Sequence, residues 1–170
     1  VVIISGTLGD HGIAVMSARE GLNFETDLQS DVAPLNHLIA SMMNAGEIHV
    51  LRDPTRGGLA TTLNEIAIQS NLTIELQETA LPVKPQVHAA CEMLGFDPLY
   101  VANEGKLVAF VKPEDAESIL LAMRQAKYGE GAVIIGKVIK TNSPQVRLRT
   151  AIGGTRLIDM LPGEMLPRIC

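Results

Sequence analysis

The sequence predicts an α+β domain, a mixed or antiparallel sheet covered by helices, and three observations carry the prediction. Short apolar runs of strand length alternate with segments whose apolar residues recur at helical spacing. Gly, Pro or Asn stands at most of the joints between them. One run, Leu72, Ile74 and Leu76 against Thr73, Glu75 and Gln77, alternates as a strand with one face in the core and one in solvent, a pattern that suits antiparallel pairing.

In chain order, Val1 to Ile4 reads as a buried strand, followed by the loop SGTLGDHG (Ser5 to Gly12) and a short helix that Gly21 can end. Asp31 is placed to cap a helix whose apolar positions are Leu35, Leu38, Ile39, Met42 and Met43, with Gly46 as its stop. Ile48 to Arg52 is the next strand. The loop DPTRGG (Asp53 to Gly58) then leads into a helix from about Leu59 with Leu63 and Ile66 on its inner face. After the alternating strand and a loop around Pro82 and Pro85, Val87, Cys91 and Leu94 mark a short helix that Gly95 stops. The loop NEG (Asn103 to Gly105) precedes a strand over Leu107 to Val111, and Pro113 opens a helix carrying Ile119, Leu120 and Met123. Ala132 to Ile139 is a strand, and the turn Thr141 to Pro144 returns the chain into Gln145 to Thr150, so the domain is expected to close with a hairpin. The stretch Leu161 to Cys170 holds two prolines and a glycine and has neither period. It reads as a mobile tail behind a domain over residues 1–160.

Composition narrows the function classes. With 170 residues, 46% hydrophobic but only 3% aromatic, the core must be aliphatic, and binding by ring stacking is disfavoured. A domain of this size buries about 70% of the surface its unfolded chain exposes. The net charge of −5, with no basic stripe, argues against nucleic acid. No apolar stretch is long enough for a bilayer, and two cysteines without metal-ligand spacing suit a reducing cytoplasm. The chain opens on Val1, inside a strand, and reads as a fragment of a longer protein.

Three loops carry residues with chemical potential. DPTRGG puts two glycines and Arg56 before a helix, where free backbone N–H groups favour an anion; equally, Asp53 could cap, Gly57 and Gly58 turn, and Arg56 pair with a carboxylate. In SGTLGDHG, Asp10 and His11 could touch a nucleotide or metal, or be satisfied loop groups. Glu104 could serve as a general base in a cleft or sit in solvent on a tight turn. Cys91, on an apolar helix face, reads as a core residue. Cys170 differs: a terminal thiol behind a segment with no packing pattern is exposed to oxidation unless it has a use. The nine residues from Pro162 to Cys170 span about 30 Å when extended.

The strings GTLGDHG (Gly6 to Gly12), RDPTRGG (Arg52 to Gly58), LPVKP (Leu81 to Pro85), ANEGKLV (Ala102 to Val108) and the terminal PRIC (Pro167 to Cys170) resemble, in content and order, the C-terminal domain of the HypE family of hydrogenase maturation factors. That family lies in the superfamily of aminoimidazole ribonucleotide synthase and selenophosphate synthetase, whose C-terminal domain the fold should resemble. The resemblance implies a further N-terminal domain that holds most ligands for ATP and Mg2+ and makes the homodimer. It also implies that a HypF-type carbamoyltransferase carbamoylates the thiol matching Cys170, and that ATP drives dehydration of the product to a thiocyanate. The cyanide then passes to iron in a HypC–HypD complex. Glu104 matches the family's proposed base, while Asp10, His11, Asp53, Thr55, Arg56, Gly57 and Gly58 occupy motif positions on the nucleotide side of the cleft. Two rivals stand beside this reading: a superfamily member phosphorylating a small molecule, which leaves Cys170 idle, and a non-catalytic module whose C-terminal peptide a partner captures.

Overall fold

A computed structural model describes residues 1–20, 28–141 and 143–160. The elements are β1 (Val2–Ile4), α1 (Asp10–Glu20), α2 (Asn36–Met43), β2 (Ile48–Arg52), α3 (Gly58–Ser70), β3 (Thr73–Gln77), α4 (Pro85–Leu94), β4 (Val108–Val111), α5 (Ala116–Gln125), β5 (Val133–Ile139), β6 (Gln145–Arg149) and β7 (Thr155–Ile158). Single 3₁₀ turns lie at Glu78–Ala80, Pro98–Tyr100 and Pro113–Asp115. The strands form one mixed sheet in the order β2-β4-β1-β5-β3-β6-β7. Every pairing is antiparallel except β3 with β6.

Residue pattern explains where each strand sits. β1 and β4 are continuous apolar runs because both of their faces are covered. Val2, Ile4, Val108 and Phe110 pack toward α3, on Leu59, Leu63 and Ile66. Ile3, Ala109 and Val111 pack on the opposite face against Leu38 and Met42 of α2 and Ile119 and Met123 of α5. β3 and β6 alternate because α3 covers only one side: Ile74, Leu76, Val146 and Leu148 join its cluster, while Glu75 and Arg147 point the other way. Each fully buried Leu or Ile in these layers contributes about 1.5–3 kcal/mol relative to exposure. A third cluster locks α1 to α4 through Ile13, Met16, Val87 and Cys91.

The structure corrects three expectations. The strand Gln145–Arg149 does not form a hairpin with β5, because β3 lies between them and β6 runs parallel to it, in register Ile74 with Val146 and Leu76 with Leu148. Thr73 at the end of β3 holds the connecting turn, its hydroxyl donating to the Ser143 carbonyl at 2.9 Å. The closing hairpin is β6–β7, one strand later, around Thr150–Gly154. For the same reason β3 is antiparallel only on its β5 side. Asp31 caps no helix: α2 begins at Asn36 after Leu35, and the Asp31 carboxylate is used elsewhere. The expected helix end at Gly21 and the tail Leu161 to Cys170 lie outside the described residues. Among the described residues no helix is long and apolar enough to cross a membrane.

Cys91 is a core residue, 1% exposed. Burial, and secondarily the charge of Asp97, push its thiol up to about 11 from an ordinary 9.0. The unfolded chain therefore releases this proton first as pH rises, so the thiol's share of stability is intact below pH 9 and lost between about 9 and 11. Cys91→Ser is expected to lower the melting temperature at pH 7 and to flatten its fall between pH 9 and 11, which thermal melts across that range check.

Candidate functional site

Asn103, fully buried between Ala102 and Glu104, is the joint of the site. Its side-chain oxygen accepts from the Gly9 N–H at 2.8 Å, and its amide nitrogen donates to the Pro54 carbonyl at 3.0 Å. Its own N–H reaches the Pro54 carbonyl as well, at 3.2 Å. A buried amide so paired fixes geometry, since freeing any partner strands a polar group away from water. The three loops singled out in the sequence are thereby stitched together. Gly58 tightens the joint: with φ +63°, it lies so near the backbone of Leu99 to Val101 that a Cβ would meet the Leu99 carbonyl oxygen at 2.5 Å.

Beside this joint is an open cavity of about 420 Å³, walled by Thr7, Asp10, residues 29–33, Lys84, Lys106 and Tyr128. Two carboxylate–ammonium pairs face it. Asp10, at the N-terminus of α1 where a negative charge is favoured, accepts from the Thr7 hydroxyl at 2.6 Å and pairs with Lys84 at 2.7 Å through the same oxygen. Its other oxygen is buried and has no hydrogen-bond partner among the described residues. Asp31 accepts the Glu104 N–H at 3.0 Å and faces the Lys106 ammonium at 3.3 Å. The Asp31–Ala33 backbone passes so close over Gly105 that a Cβ there would lie 1.7 Å from the Asp31 carbonyl oxygen. The half-buried Glu104 is thus held at its backbone by a buried carboxylate of the cavity wall, two residues before Lys106 of the same wall. Tyr128 closes the wall in a left-handed conformation, φ +71°, which costs a non-glycine residue about 1–3 kcal/mol.

Of the predicted site residues, Asp10 and Glu104 lie on the segments around this cavity. His11 is 9% exposed, with Nδ1 2.8 Å from the Ser30 hydroxyl, so it holds the 28–31 segment to α1. Asp53 and Arg56 are exposed; Asp53 does not cap α3, whose cap is Gly57 in a left-handed turn, and Arg56 makes no ion pair among the described residues. Thr55 accepts the Gly58 N–H through its carbonyl at 3.0 Å. The DPTRGG loop therefore presents a cation without an ion-pair partner among the described residues and the start of a 13-residue helix. No three His, Cys, Asp or Glu converge as metal ligands among the described residues. Lys84, Lys106 and Asn103 were not singled out by sequence, and Asp31 only as a helix cap. Both lysines stand inside the quoted strings LPVKP and ANEGKLV, and that was the available signal. Tyr128 gave none.

A seven-stranded mixed sheet with helices on both faces, and three glycine loops joined beside an acid–base-lined cavity, define a class of synthase-type C-terminal domains. Residues 1–149 match the model of the AIR synthase related protein, C-terminal domain, and the chain belongs to that family. More particularly, it is 58% identical over 99% of its length to carbamoyl dehydratase HypE of Bradyrhizobium diazoefficiens, covering 49% of that protein. It superposes with TM-score 0.94 and 50% identity on 52% of the solved chain of hydrogenase maturation protein HypE in complex with ATP, over 99% of its own length. It matches HypE of a solved HypE–HypF complex with TM-score 0.90 and 51% identity, over 95% of this chain and 52% of that one. The chain spans about half the length of the curated relatives it matches.

Proposed function

We propose that this chain is the C-terminal half of an ATP-dependent carbamoyl dehydratase that converts an S-carbamoyl group on Cys170 to a thiocyanate, the cyanide source for the iron of a NiFe hydrogenase. The observation that carries the reading is the junction at Asn103, which ties the anion-favouring DPTRGG loop to the segment of Glu104. A phosphoryl-transfer loop and a candidate base are then parts of one rigid unit. The HypE structure with ATP supports a nucleotide as co-substrate, and the HypE–HypF structure supports a HypF-type protein as the carbamoyl donor's carrier. A HypC–HypD complex as acceptor, dimerisation through an N-terminal half, and a cytoplasmic setting belong to the same proposal.

The chemistry divides between residues. The amide oxygen of a thiocarbamate is a poor leaving group; transfer of the γ-phosphoryl to it lets it depart as phosphate. The two N–H protons leave as the C≡N bond forms. One goes to solvent as the oxygen is phosphorylated, and Glu104, positioned through its backbone by Asp31, takes the other as phosphate departs. Arg56 and the turn at Gly57 and Gly58, through the Gly57 N–H since that of Gly58 is committed to the Thr55 carbonyl, steady the phosphate, in the manner expected where a cation and a helix start face a developing negative charge. Asp10, with its unpartnered oxygen, and His11 shape the nucleotide side. Mg2+, if used, takes its ligands from the other half, and no step here is routed through it. Tethering the substrate at Cys170 replaces a bimolecular encounter with an intramolecular one. The test is whether ATP removes one water from a carbamoylated C-terminal peptide of the full-length protein.

A further inference from the structure

Two polar groups in the cavity wall keep hydrogen-bonding capacity that the fold does not use, and they are opposite in kind. The Asp10 side chain is 3% exposed; its Oδ2 takes both the Thr7 hydroxyl and the Lys84 ammonium, while Oδ1 is buried without a hydrogen-bond partner. A carboxylate oxygen left in that state is destabilising, so its place in a cavity wall points to a donor that arrives with a ligand. The Lys106 side chain is 13% exposed, and among the described residues its ammonium has only Asp31 as a partner, at 3.3 Å. The Asp31 oxygen that faces it, Oδ2, makes no hydrogen bond. The wall therefore carries a spare acceptor and spare donors.

Lys106 is held in position. Its stem lies against Gly6, where a Cβ would come 3.0 Å from Lys106 Cε. Asp31 faces the ammonium with Oδ2 and accepts the Glu104 N–H at 3.0 Å with Oδ1, so one carboxylate yokes the cation to the segment of Glu104. The ionised groups of the wall, Asp10 and Asp31 against Lys84 and Lys106, cancel in charge. Neither an anion nor a cation is favoured, and a carboxylate would set a second negative charge beside Asp10 Oδ1. The ligand that completes both groups is uncharged and carries an N–H donor beside an oxygen acceptor, which is a primary amide. We propose that this cavity binds a carbamoyl group, with Asp10 Oδ1 accepting from its NH2 and Lys106 donating to its carbonyl oxygen. The inference rests on the dehydratase reading for the fate of that group, and on the wall alone for the class of ligand.

The experiment uses a free probe and needs no turnover. In the full-length protein, S-ethyl thiocarbamate, followed by broadening of its own NMR resonances, is expected to bind with a dissociation constant of about 1–10 mM, within reach of so small a ligand. It should also shield Lys106 from acetylation by N-hydroxysuccinimidyl acetate, read from the mass of the peptide that contains it. The N,N-dimethyl homologue keeps the carbonyl and loses both N–H groups, leaving Asp10 Oδ1 without a donor, and should bind at least about tenfold more weakly. Asp10→Asn is expected to narrow that preference to about twofold or less. Lys84 and Thr7 retain the amide oxygen, which puts an NH2 where Oδ1 was and turns the acceptor into a donor. Lys106→Met should weaken both probes about tenfold, and it stands as an independent variant if Asp10→Asn folds poorly. No binding of S-ethyl thiocarbamate up to about 100 mM, equal affinity for the two probes, unshielded Lys106, or affinities unmoved by the substitutions would overturn the site. Those results leave the dehydratase reading to its own test, the ATP-dependent loss of water. Amide binding that both substitutions alter as expected, in a protein that never dehydrates a carbamoyl group, would leave the site standing and overturn the reading.

Discussion

Glu104→Gln in the full-length protein should still accept a carbamoyl group on Cys170 yet dehydrate it at least about a hundredfold more slowly, a barrier higher by roughly 2.7 kcal/mol. The substitution keeps the size of the side chain and removes only its capacity to take a proton. Its backbone N–H is held by the Asp31 carboxylate at 3.0 Å, and residues 31–33 pass close over Gly105. The loop geometry should therefore survive. The signature is a carbamoylated protein that accumulates in the presence of ATP, followed by single-turnover mass spectrometry of the C-terminal peptide. Equal rates of water loss in parent and variant would remove Glu104 from the mechanism and leave NEG as a structural turn.

Cys170→Ser should abolish carbamoylation altogether, with no measurable activity left, while the melting temperature stays within about a degree of the parent. A hydroxyl is a far weaker nucleophile than a thiolate at neutral pH, and a residue at the end of an unpatterned segment contributes little burial. The contrast with Cys91→Ser is the control, since that side chain lies in the α1–α4 cluster and its replacement should cost stability without touching acceptance of the carbamoyl group. A marked drop in melting temperature for Cys170→Ser with none for Cys91→Ser would show the two cysteines' roles exchanged. Retained carbamoylation in Cys170→Ser would return the small-molecule rival, in which the terminal thiol has no part.

Burial pattern was the most legible part of the fold. The runs at β1 and β4 are apolar throughout because helices cover both faces, and Leu72 to Gln77 alternates because one face is wet; both signals are local. Strand partnership was not legible. Val146 and Leu148 present the same alternation to any neighbour, so nothing in Gln145–Arg149 distinguishes an antiparallel return beside β5 from a parallel seat beside β3. Asp31 shows the same limit: a carboxylate ahead of a helical pattern fits the capping rule, but a lysine 75 positions on and the Glu104 N–H compete for it more effectively. In the site, the glycine loops announced themselves as strings, whereas their meeting did not. The bond from Gly9 to Asn103 spans 94 residues, and an asparagine inside NEG looks like any turn residue until its three partners are seen.

The account's central claim is that ATP dehydrates a carbamoyl group carried on Cys170. Its most direct test is the mass of the C-terminal peptide of the full-length protein after incubation with a HypF-type carbamoyltransferase, carbamoyl phosphate and ATP, with and without a chase of further ATP. The predicted result is a gain of one carbamoyl group on the peptide ending in Cys170, then loss of one water that requires ATP hydrolysis. A peptide that never gains the carbamoyl group, or one whose carbamoyl group persists undiminished through the ATP chase, would contradict it.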